Sequence, residues 1–64
     1  KYKIGKDITP GTYKIAPQDQ NAEGKYYSIL NGEIRNDEVF SGETSVNVPQ
    51  EGYIVFYNAV LLVQ

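Results

Sequence analysis

Apolar side chains recur at every second position in short stretches, and Gly, Pro, Asn and Asp interrupt them along the whole chain. A period of two marks half-buried strands, and the interruptions mark turns. Tyr2 and Ile4 alternate with Lys1 and Lys3, which predicts a short strand with a basic outer face. Asp7-Ile8-Thr9-Pro10-Gly11 reads as a turn, with Pro fixing one φ and Gly freeing the next. Thr12 to Ala16 then alternates, Tyr13 and Ile15 on one face, until Pro17 stops it. Residues 17–24 are the one long polar stretch, a surface loop.

Lys25 to Asn31 is rich in β-formers. It ends on Asn31-Gly32, a pair that accepts the positive φ of a type I′ hairpin turn. Glu33 to Asn36 is the expected hairpin partner, with Asn36-Asp37 turning the chain again towards Val39-Phe40 and Ser41-Gly42 turning it once more. Thr44, Val46 and Val48 form the inner face of the next strand. Pro49 to Gly52 leads into Tyr53-Ile54-Val55-Phe56-Tyr57, apolar on both faces and therefore expected in the middle of a sheet. Val60 to Val63 has the same character and the same expectation of central burial. As an edge it would instead invite pairing with another chain. Pro10 to Ile15 and Pro49 to Val55 echo one another, a Pro- and Gly-containing turn followed by Tyr opening a strand.

No stretch carries an apolar stripe at 3.6 spacing, so the expected class is all-β: a small antiparallel sandwich or partly closed barrel of six to eight short strands. The 64 residues make one β-module. With no Met at the start, the expectation is a unit processed or cut from a longer polypeptide. A chain this short has no disulfide or metal to lean on, so its aromatic and aliphatic core must offset nearly all the chain entropy.

Composition removes most chemistry. There is no Cys and no His, hence no thiol nucleophile, imidazole base, zinc knuckle or usual metal triad. Ser28, Ser41 and Ser45 lack a base of near-neutral pKa, and the scattered carboxylates would need a deep cleft to act as a glycosidase pair. Asp19-Gln20-Asn21-Ala22-Glu23-Gly24 imitates half of a calcium loop, but Leu30 occupies the place of its required Glu. The expectation is no enzyme and no cofactor. Six basic against eight acidic residues, well mixed, give no counterion-release footprint, so no nucleic-acid partner is expected either. No run approaches the ~18 apolar residues of a membrane span.

Tyrosine is the enriched group with functional potential, six in all. Tyr26 and Tyr27 are adjacent in one strand and must point to opposite faces. One enters the core, and the other offers an apolar plate ringed by Asn, Asp and Gln. The candidate ligand face is Tyr26, Tyr27 and Tyr57 with Asp19 and Asn21 of the polar loop. Asp7 is expected to have a structural role, capping the turn before Pro10-Gly11.

Tyr2 to Ile15, read as Tyr-Lys-Ile-Gly-Lys-Asp-Ile-Thr-Pro-Gly-Thr-Tyr-Lys-Ile, resembles the opening motif "vG-x-D-I-pa-G-x-Y-x-l" of a small β-module in secreted and lipid-anchored proteins of Gram-positive bacteria. Tyr26-Tyr27 and Val46 to Val55 are similar to its later segments. Thr9 before Pro10, with Gly directly after it, departs from the usual spacing. The resemblance implies location rather than chemistry: extracellular or anchored at the cell surface. Together these readings describe a non-catalytic module that binds a surface glycan or protein, or spaces its neighbours. The alternative is an assembly module that self-associates weakly or docks through its apolar C-terminal strand.

Overall fold

Seven strands in two antiparallel sheets are present in the computed structural model, which describes residues 1–62. They are β1 (Tyr2–Lys3), β2 (Gly11–Ala16), β3 (Gly24–Leu30), β4 (Glu33–Phe40), β5 (Thr44–Val48), β6 (Tyr53–Tyr57) and β7 (Val60–Leu61). One sheet has the order β1-β6-β3-β4 and the other β5-β2-β7. Neither closes into a barrel, so the all-β expectation resolves to a sandwich.

Between the sheets lie Ile15, Val46 and Val48 from the three-stranded sheet, facing Phe40 and Ile54 from the four-stranded one, with Ile4 at the side. The alternation in β2 and β5 produces this directly: Tyr13 pairs with Val46 and Ile15 with Thr44, placing every second side chain inward. Ile15, Val46, Val48 and Ile54 are essentially inaccessible, and burying such a side chain is worth about 1.5–3 kcal/mol. Tyr13 reaches the rim of the core and donates its hydroxyl to the Thr9 carbonyl oxygen at 2.7 Å, which pins the turn before β2. Asp7 also acts locally, but on the other side: its carboxylate accepts the Lys3 N–H at 2.9 Å and closes the turn that follows β1.

Asn31-Gly32 forms the expected hairpin, with φ of 53° and 79°. Its second strand corrects the sequence reading. β4 does not stop at Asn36 but continues to Phe40. Ser28 pairs with Arg35 and Tyr26 with Glu38, so Tyr27 faces two residues, Asn36 and Asp37, across a bulge. Asn36 takes φ 54° there, a conformation its short amide side chain tolerates and one that a turn and a bulge share.

The C-terminal run is also corrected. β7 is an edge strand, joined to β2 through Ile15–Leu61 and Ala16–Val60. Val60 is 43% exposed and Leu61 37%. β2 offers two sides for pairing, and β5 fills one with five residue pairs while β7 takes the other with two. Val63 falls outside the described residues. β6, by contrast, lies inside its sheet between β1 and β3, with Ile54 and Val55 both buried.

Candidate functional site

The register of the four-stranded sheet sorts the tyrosines. On β3, Tyr26 pairs with Phe56 and Tyr27 with Val55. Tyr26 therefore turns inward, with its ring centroid 6.2 Å from Phe40 and 6.3 Å from Phe56. Burial, helped by the charge of Glu38, raises its phenol above the ordinary value of 10.0. Tyr26 thus belongs to the packing between the sheets and leaves the candidate ligand face, for the parity reason that puts Tyr27 outside.

Tyr27 stands on the outer face, beside Tyr57. The two rings are 6.3 Å apart at 30°, an offset stack. The adjacent Tyr57 side chain raises the Tyr27 phenol above 10.0, and desolvation and the nearby Asp37 charge add to the rise. Tyr53, two steps of the same parity from Tyr57, adds a third ring, and Lys1 Nζ lies 4.8 Å from its centroid. Val55, between Tyr53 and Tyr57 on this outer face, is only 8% exposed although it lies outside the core cluster. The tyrosines of this face shelter it. Ile34 pairs with Ile29, and Val39 with Lys25, so two further exposed apolar side chains continue the surface onto β4.

Polar groups border this surface. Lys3 pairs with Tyr53, and Lys25 pairs with Tyr57. Lys25 Nζ is 3.9 Å from the Asp37 carboxylate and 5.9 Å from the Tyr27 ring centroid. At the Tyr53 end a shallow depression of about 430 Å³ is lined by Lys1, Ile29, Asn31, Glu51 and Tyr53, among others. The arrangement can hold a ligand by apolar contact, phenol hydroxyls and ammonium groups.

Asp19 and Asn21 are engaged within their own loop. Asp19 Oδ1 accepts the Asn21 N–H at 2.9 Å. The loop as a whole is held by Asn58, whose Oδ1 accepts the Asp19 N–H at 2.8 Å. Its Nδ2 donates to the carbonyls of Asp19, Ala22 and Glu23, each at 3.1 Å. The link between this loop and Tyr57 runs through Asn58, the next residue in the chain.

Sequence reasoning left out Tyr53, although its parity with Tyr57 was readable, and gave no role to Asn58 in holding the loop. Ser28, the one buried polar residue among those described, has its hydroxyl occupied: Oγ donates to the Arg35 carbonyl at 3.1 Å and accepts from Asn36 Nδ2 at 3.2 Å. Among the described residues no three acidic side chains gather where they could hold a metal ion, and no helix is long and apolar enough to cross a membrane. No protein-family model, curated protein or solved structure matches the chain.

Proposed function

We infer that this chain is a non-catalytic binding module whose ligand lies across the outer face of the β1-β6-β3-β4 sheet. The observation that carries the reading is the row Tyr27, Tyr53 and Tyr57 on the side of the sheet away from the core, continued by exposed Ile34 and Val39. A folded monomer gains nothing in solubility from such a surface, and exposed apolar side chains gathered on one sheet face mark a candidate interaction site. Tyrosine suits the task because it offers a rigid, large contact area and a polar tip at low entropy cost. Placement in a secreted or surface-anchored bacterial protein rests on the resemblance carried by Tyr2 to Ile15.

One observation favours a second reading, assembly through β7. The β4 edge is defended by Glu33, Arg35, Asp37 and Glu38 and by its bulge, whereas Val60, Leu61 and Leu62 place no charge, Pro or bulge on theirs. A single NMR experiment separates the two. Amide shifts recorded against a panel of oligosaccharides and peptides are expected to move at Tyr27, Tyr53, Val55 and Tyr57. Concentration-dependent shifts confined to Val60–Leu62, with the outer face unmoved by every ligand, would replace binding by self-assembly.

A further inference from the structure

Charge is distributed unevenly over the molecule in a way that composition conceals. The chain carries a net charge of −2. Yet the outer sheet face presents Lys1, Lys3 and Lys25 against a single carboxylate, Asp37, with Glu51 at the rim of its depression. Glu33 and Glu38 pair with Leu30 and Tyr26 and so have the opposite parity. The other acids lie in turns and loops. The lysines also sit at both ends of the tyrosine strip: Lys1 and Lys3 at Tyr53, Lys25 at Tyr57. Four residue steps along strand β6 separate these ends, about 13 Å at the usual rise.

We propose that the outer face of the four-stranded sheet binds an acidic polysaccharide, its sugar rings lying along Tyr53, Tyr27 and Tyr57 and its carboxylates meeting the lysines at either end. The proposal rests on the binding-face reading above and adds the chemical class of the ligand. Cations at two separated places, Lys1 with Lys3 at one and Lys25 beside Asp37 at the other, match a polymer with repeating charge better than a single sugar. An apolar strip between them matches the C–H faces of pyranose rings, while the phenol hydroxyls meet sugar hydroxyls. Nucleic acid fits less well, because single strands are held in a continuous positively charged groove that tracks the backbone. Here the lysines stand only at the two ends of the strip, Lys25 beside Asp37. The lysines are exposed, so their replacement leaves the core between the sheets intact.

The test is titration of the full chain, followed by NMR, with tetragalacturonate, a neutral galactose tetramer and a short oligothymidylate. Tetragalacturonate is expected to shift Tyr53, Tyr27 and Tyr57 and to bind more weakly as salt rises. Lys3→Gln and Lys25→Gln are each expected to weaken it by roughly two- to fivefold, the scale of exposed ion pairs. Equal, salt-insensitive affinity for the neutral tetramer on the same face would overturn the acidic ligand while leaving the binding face standing. Tighter binding of oligothymidylate would overturn it in favour of nucleic acid. Outer-face resonances unmoved by all three would remove both the ligand class and the face.

Discussion

Replacing Gly52 by Ala is expected to unfold the domain or come close to it. Gly52 has φ 103°, where an L side chain is strained, at a cost on the order of 1–3 kcal/mol. The larger effect is steric. A Cβ at this position would collide with the backbone carbonyl of Ile29, an atom that cannot swing aside as a side chain can. Ile29 pairs with Tyr53 in the register that joins β3 to β6, and the Gly52 carbonyl accepts the Ile4 N–H at 2.9 Å. Relieving the collision therefore disturbs two attachments of the central strand at once. Against a total stability of about 3–10 kcal/mol for a domain of this size, a loss of about 3–5 kcal/mol is close to the whole. Gly32→Ala supplies the comparison: φ is 79° but nothing lies within 4 Å, so only the strain remains, about 1 kcal/mol. Urea denaturation followed by far-ultraviolet dichroism checks both. Equal midpoints for the two variants would show that the carbonyl contact does not govern the fold.

Asn58→Ala is expected to cost about 2–4 kcal/mol, unusual for a side chain near the surface. Its amide makes four contacts with the loop that leads into β3, each worth about 0.5–1.5 kcal/mol, although two N–H groups shared among three carbonyls cannot count in full. The residue also holds φ 48°, which Asn tolerates better than Ala. Asn58→Gly removes the backbone penalty and keeps the hydrogen-bond loss, so it is expected to be the milder variant. Hydrogen exchange should localise the effect. Amides of Asp19 and Asn21, bonded to Asn58 and Asp19 oxygens, are expected to lose protection in both variants, while those of β5 keep theirs. Unchanged exchange in the loop would mean that Asn58 does not hold it.

These two residues also show where sequence reading stops. Alternation revealed β2 and β5 because their inner faces, Tyr13 and Ile15 or Val46 and Val48, have neighbours of opposite character. It placed β6 inside a sheet because both faces are apolar. It misread β7, with the same apolar character, because an edge strand next to a small sheet can be apolar without being buried, and periodicity does not report how many partners a strand finds. Asn36 gave a turn signal that was physically correct about φ and wrong about its consequence: positive φ serves a bulge as well as a reversal. Asn58 carried no local signal that would distinguish a loop anchor from a spacer, since its partners lie 35 to 39 residues away.

The candidate site was half legible for a related reason. Adjacent tyrosines guarantee that one faces outward, but not which. That depends on β3's register with β6, set by long-range pairing. The lysines were visible beside the tyrosines in the chain, yet counting them against all eight acids hid their concentration on one face.

The outward position of Tyr27 is the point on which the proposed ligand face depends, because a slip of one residue in β3 would exchange it with Tyr26. Nuclear Overhauser contacts between assigned aromatic ring protons test this directly. Cross-peaks are predicted between Tyr27 and Tyr57, and between Tyr26 and both Phe40 and Phe56. Contacts from Tyr27 to Phe40 or Phe56, with Tyr26 meeting Tyr57, would contradict the account.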